Sequence, residues 1–331
     1  MIRLRLAAGD FTRMRFGFSP VTELVDSLYM LHADHIDPLY RDWAKRARTR
    51  VRGLDDDVLQ AVVPHLGLMP DFPQGDAGTT TTIEQQLQLL ADWPVEMLRA
   101  ELEAVWLGRD LPPAAQQLIA AGPAGVRRLA DVFWSYWEAA LEPHWHRMRA
   151  ILEAELAYRA RQLTRGGLAA LITDLHPQLE LDQDGIRINK PISGDYDLAG
   201  QGLMLMPCVF APPNVVYGPA PPGPCLIYRP RGVATLWETA NANQPANDPL
   251  SALMGRSRVA ILRSTGLPKS TTELAHELGQ AVATVSVHLS MLRRCGMIHS
   301  WRSGRSVLHQ RTTLAASVLR GASPERGTGS A

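Results

Sequence analysis

Between Asp248 and Arg320 stand ten basic side chains: Arg256, Arg258, Arg263, Lys269, Arg293, Arg294, Arg302, Arg305, Arg311 and Arg320. Asp248, Glu273 and Glu277 oppose them, so the segment from Pro249 onward is +8. The whole chain is +1, which leaves −7 for everything else. The chemistry open to such a set is phosphate neutralisation rather than bond making. A strongly basic end on an acidic body is the electrostatic footprint of a nucleic-acid-binding module. The abundance of Arg over Lys is no further sign of it, because the same bias runs through the acidic part.

Other clusters hold residue types used in catalysis and metal binding. No nucleophile–base signature, phosphate loop, GxGxxG or HExxH pattern is present, and the expectation is no catalytic residue, no metal and no cofactor. His32, Asp34, His35 and Asp37 are close enough in sequence to ligate zinc, but a helix end with polar capping residues accounts for them more simply. His144 and His146 point to different faces of a helix. Cys208 and Cys225 fall on neighbouring strand candidates, as a redox pair or as buried apolar thiols. Asp182 and Asp184 read as turn residues. Trp93, Trp106, Trp134, Trp137 and Trp145, with Met97 and Met148, fill a core or line a ligand pocket.

The elements that must position these residues divide into a long helical body and a short basic module. At 331 residues, 46% hydrophobic and 20% charged, the chain is long enough for two folded domains. No apolar run reaches the roughly 18 residues of a membrane span, and the first residues lack the apolar core of a secretory signal. A cytoplasmic protein without membrane contact is therefore expected. Residues 2–6 alternate like a strand. Ser19-Pro20 opens a helix and Pro38 another through Trp43 and Ala47. Helical patterns cover Ile83–Trp93 and Pro94–Trp106. From Ala124 a stripe runs through Leu129, Phe133, Trp137, Leu141, Trp145, Met148, Leu152 and Leu156, with a break due at Pro143. A hairpin is predicted around Asp184-Gly185, and strands at 202–210 and 225–229, giving a small sheet within about 179–230. The fold class is thus mainly α with a small β-sheet: a helical domain over 1–240, a polar linker over 241–249, a winged helix-turn-helix over 250–320 and a disordered tail over 321–331.

Within the module, Leu250, Leu253, Val259, Ile261 and Leu262 predict one apolar helix. Ser270-Thr271-Thr272-Glu273 caps a second and Gly279 ends it. A third runs from about 281 to 295, with Val285, Leu289 and Leu292 inward and Thr284, Ser286, Val287, His288 and Ser290 outward. Strands at 297–301 and 306–310 flank a tip at Ser303-Gly304 that carries Arg302 and Arg305.

In ELAHELG (273–279), ATVSVHLSMLRRCGMI (283–298) and RSGRSV (302–307) the chain resembles the ArsR family of winged-helix transcriptional regulators. The layout, with RFGFSPVTELVDSL (15–28) and IYRPRG (227–232), also resembles a subgroup with a long N-terminal domain of unknown function. The resemblance implies a regulator, most often a repressor, that binds double-stranded DNA as a homodimer. Its recognition helix (281–295) would enter the major groove, with the wing (301–307) on backbone or minor groove. The DNA-binding residues implied are Thr271, Gln280, Thr284, Ser286, His288, Arg293, Arg302 and Arg305. The N-terminal domain would sense an unidentified small-molecule effector. The family's metal-binding Cys pair and carboxylate–His set are absent, and Ala281, Val282 and Val287 replace polar residues usual there. An alternative keeps the winged helix for localisation or protein contacts, with an enzymatic or protein-interaction domain ahead of it.

Overall fold

The computed structural model describes residues 1–66, 68–73, 80–218, 223–233, 236, 249–304 and 306–321. The chain divides into two compact units, Met1–Arg231 and Gly232–Ala331. It is mainly helical with small sheets, and the second unit has winged-helix architecture. Most of the predicted linker and tail lies outside the described residues.

The first unit begins with β1 (Ile2–Arg5), α1 (Ala8–Thr12) and β2 (Arg15–Phe16), followed by α2 (Pro20–Leu31). Ser19 Oγ accepts the Thr22 N–H at 3.1 Å, which with Pro20 sets the start of α2. A 3-10 turn at Pro38–Tyr40 leads into α3 (Arg41–Arg50), then α4 (Asp56–Val62), α5 (Ile83–Ala91), α6 (Val95–Val105), α7 (Pro113–Ala120), α8 (Pro123–Ala140) and α9 (Glu142–Leu175). The predicted break at Pro143 is present: α8 stops before Leu141, and Pro143 sits in the first turn of α9, where no N–H is missed. A second break, at Gly167 (φ 65°), turns Leu171, Ile172 and Leu175 toward the strands. The aromatic stripe packs inward, with Trp137 against Trp145 at 5.0 Å and Phe133 against Phe72 at 5.3 Å between ring centres.

The remaining strands are β3 (Leu179–Leu181), β4 (Gly185–Ile188), β5 (Gly194–Asp197), β6 (Met204–Pro207), β7 (Val216–Gly218) and β8 (Cys225–Tyr228). They form two sheets, where the sequence suggested one. The first runs β3-β4-β1-β5, with Ile2 opposite Ile188 on one side and Gly194 on the other. The second runs β2-β6-β8-β7. The N-terminal segment thus supplies one strand to each sheet. Asp182 Oδ1 accepts the N–H groups of Asp184 and Gly185 at 2.9 and 3.0 Å, the turn role predicted for it.

Helix α2 lies almost wholly inside, and its polar residues meet the end of β6. Glu23 accepts the N–H groups of Val209 and Phe210 at 2.6 and 3.3 Å. The Cys208 thiol reaches Glu23 at 3.3 Å and Asp26 at 3.0 Å. Burial pushes Glu23 up to about 8 and Asp26 up to about 6, so at neutral pH Glu23 is largely protonated. Cys208 and Cys225 are both free and buried and do not pair. The β6–β8 register sets Cys225 beside Met204, four residues before Cys208.

Candidate nucleic-acid interface

The second unit contains α10 (Pro249–Met254), α11 (Arg256–Ser264), β9 (Lys269–Ser270), α12 (Thr271–Leu278), α13 (Val282–Arg294), β10 (Ile298–Ser303), β11 (Ser306–Arg311) and α14 (Thr313–Gly321). The single helix predicted over 250–262 is two, because Gly255 adopts φ +88° between them. Leu253 is consequently exposed rather than part of the core.

Helix α12 starts on a reciprocal cap. Ser270 Oγ accepts the Glu273 N–H at 3.2 Å, and Glu273 Oε2 accepts the Ser270 N–H at 2.7 Å. Its end is a left-handed Gly279, after which the Gln280 N–H reaches back to Ala275 O at 2.9 Å. This tight reversal aims α13. Val285, Leu289 and Leu292 bury one stripe of α13 against Ile261, Leu262, Leu274 and Ile298. The opposite face carries Thr284, Ser286 and Arg293, all exposed. Val282, Val287 and Met291 are also exposed, by 50%, 65% and 42%. Ala281 stands at the N-cap with no side-chain cap, as its methyl dictates.

Strands β10 and β11 pair from Ile298–Arg311 to Ser303–Ser306, and Gly304 follows the end of β10. Gly304 is left-handed at φ +56°. β9 completes the sheet on the other side of β11. Arg302 is exposed, and its Nε donates to Gly304 O at 3.3 Å. Arg305 lies outside the described residues.

Three of the implied contact residues are half-buried. Gln280 is half-buried, and its Nε2 donates to Ser257 at 3.0 Å, because the Gly279 reversal turns it toward α11. Thr271 is half-buried beside β11, its Oγ1 3.0 Å from His309 Nε2. His288 is half-buried rather than fully outward, next to the stripe residue Leu289. Sequence reading passed over His309, which lies 8% exposed with Nδ1 2.8 Å from Ser300 Oγ. Burial, then the nearby Arg293 charge, holds its pKa below the usual His value. Nothing in a period-two strand pattern marks such a residue.

The positive charge is also partly committed within the unit. Lys269 is ion-paired with Glu277, and Arg311 donates to Arg263 O at 3.4 Å and Leu262 O at 3.5 Å at the end of α11. Arg293, Arg294 and Arg302 are exposed and form no ion pair among the described residues.

Residues 258–300, from α11 into β10, match the family model described as "Bacterial regulatory protein, arsR family". The second unit carries an arsR-family domain. Residues 108–222 of the first unit match "Family of unknown function (DUF5937)". No curated protein and no solved structure matches the chain. The arsR-family domain supports DNA-binding transcription regulation as the protein's role. The match ends before the wing tip and spans most of α11, all of α12 and α13 and the start of β10.

Other expected clusters are accounted for locally. His32 Nδ1 is 2.7 Å from Val63 O, and burial holds its pKa below the usual value. Asp37 caps the 3-10 turn at Leu39 N and pairs with Arg229 at 3.1 Å. Among the described residues, no group of three or more His, Cys, Asp and Glu side chains could hold a metal ion. Trp106 donates to Ala61 O at 2.7 Å and borders an open groove of about 970 Å³ with His32, His65 and Arg128. No described helix is long and apolar enough to cross a membrane.

Proposed function

We propose that the protein is a cytoplasmic repressor that binds a partly palindromic operator as a homodimer, with α13 in the major groove and the wing on backbone or minor groove. The observation that carries this reading is the two-sidedness of α13. It buries Val285, Leu289 and Leu292 and offers Thr284, Ser286, Val287 and Arg293 to a partner. Thr284, Ser286 and His288 contribute base contacts, and Arg293, Arg302 and Arg305 contribute phosphate contacts. Gln280 and Thr271 act as positioning residues, given their bonds to Ser257 and His309. The first unit binds an effector that shifts DNA affinity, a coupling typically worth about 1–3 kcal/mol. No catalytic step belongs to this reading.

A second reading, that the module contacts protein, draws on the exposed Val282, Val287 and Met291. The deciding experiment titrates the protein into duplex from upstream of its own gene, against a scrambled duplex, at two salt concentrations. Selective binding that falls with salt supports the regulator. Arg302→Ala then weakens both duplexes and lowers the salt slope, whereas Thr284→Ala and Ser286→Ala change the preferred sequence. Absence of duplex binding at low salt favours the second reading.

A further inference from the structure

Helix α3 and the turn after it hold Arg41, Lys45, Arg46, Arg48, Arg50 and Arg52 against one acid, Asp42. The rest of Met1–Arg231 carries a net charge of −10. All six cations are exposed, and among the described residues none is in an ion pair. Arg48 donates to Leu31 O at 3.0 Å. Arg41/Lys45 and Arg46/Arg50 are like-charge pairs four residues apart, an arrangement that destabilises a helix. Burial of Trp43, Ala44 and Ala47 fixes the helix, and Trp43 Nε1 donates to Ala140 O at 3.2 Å. The cations are thus held together on a rigid support.

Their arrangement is concave. Arg41, Lys45, Arg48 and Arg52 border an open groove of about 610 Å³, with Thr49 among them and Asp34 as the one acid of the lining. Arg41, Lys45 and Arg48 recur at i, i+4 and i+7 on one face of α3, about 10 Å long, and Arg52 follows in the turn. That exceeds the reach of a single phosphate and matches several anionic groups in a row. On the other side of α3, His144 reports the same field. Burial first, then Arg46, Arg50 and Arg147, push its pKa down to about 4.

We propose that this groove is a binding site for a small polyanion carrying two or more phosphate groups in line. The Arg forks and the Lys45 ammonium would share its oxygens, with Thr49 as an uncharged donor. Only the regulatory consequence rests on the effector reading above; binding itself needs no DNA.

The test is calorimetric titration of inorganic tripolyphosphate into the full chain at constant ionic strength, with sodium chloride as the control. The expected result is saturable binding, at least tenfold weaker in Lys45→Glu/Arg52→Glu and unchanged in Arg109→Glu. The His144 ring titration, followed by NMR, is expected to move upward on binding. Should the reversed-charge variant fail to fold, Lys45→Gln/Arg52→Gln takes its place. Heat no greater than that of chloride, or equal binding in the variants, overturns the site. If tripolyphosphate does not bind but the variants lose duplex affinity, the face contacts the DNA backbone and the proposal falls. If it binds without changing duplex affinity, the site stands and the effector reading fails.

Discussion

His309 Nε2 lies 3.0 Å from the Thr271 hydroxyl and so ties the first turn of α12 to the middle of β11. The other ring nitrogen reaches Ser300 on β10, so one neutral imidazole joins both wing strands to the helix-turn-helix. Thr271→Val leaves the ring nitrogen buried without its partner, a loss of about 1–3 kcal/mol. Because the folded-state pKa is depressed, this contribution is present above the ordinary His value and is lost as pH falls through the folded value. Protection factors of β11 amides, referred to the intrinsic exchange rate at each pH, are expected to fall as pH drops below about 6.5. Unchanged protection down to pH 5 would count against it.

Glu23 gives the opposite dependence. Its folded pKa is raised from 4.5 to about 8, so its stabilising effect is complete below 4.5 and is lost as pH rises toward 8. Asp26 adds the same trend between 3.8 and about 6. The first unit is expected to melt several degrees lower at pH 8 than at pH 5, a cost of the order of a few kcal/mol. Glu23→Gln keeps an acceptor for Val209 N–H and cannot ionise. Its melting temperature is expected to vary less over that range, and scanning calorimetry at five pH values checks this.

Val287 is the most exposed large apolar residue of α13, and thymine alone offers a methyl group in the major groove. Covering one methyl is worth about 0.8 kcal/mol, or about fourfold in affinity. Replacing operator thymines by deoxyuridine one at a time is expected to reveal one position with that loss. Val287→Ala should abolish the difference there. Uniform affinity across all deoxyuridine duplexes would remove Val287 from base reading.

Gly125, in the first turn of α8, inverts the usual effect of glycine replacement. Alanine normally stabilises a helix over glycine by about 1 kcal/mol. Here a Cβ would lie 1.9 Å from Leu118 O, where α7 crosses α8. Gly125→Ala is expected to destabilise by about 1–3 kcal/mol. Denaturant unfolding against Gly108→Ala, whose Cβ would meet nothing within 4 Å, separates crowding from left-handed backbone strain.

Features set by local chemistry were legible in the sequence. Ser19, the Ser270–Glu273 pair, Gly279, the break near Pro143 and the stripe Val285–Leu289–Leu292 each follow from neighbours within one or two turns. What depends on distant partners was not. β5 and β7 are short, polar or half-exposed strands that exist because β1 and β8 offer edges. In sequence Glu23 is one charged residue of a helix, and nothing nearby announces Val209, 186 residues away. The break at Gly255 is hidden in the sequence because flanking apolar residues keep helical spacing across it. The candidate interface shows the same split. Arg302, Thr284 and Ser286 are exposed as expected, whereas Gln280 and Thr271 bond to residues no spacing rule connects to them.

The position of β1 also dictates an order of events during synthesis. Among the described residues, 2–5 pair with 185–188 and 194–197, so β1 has no strand partner until nearly two hundred further residues have followed it. At about 5–20 residues per second that is a wait of roughly 10–40 seconds. Ile2 and Leu4, destined for the core, spend that interval uncovered. Helices α2 to α9 can gather in the meantime, and closing the sheet around β1 is then a late step of assembly, slow because its contacts are so far apart along the chain.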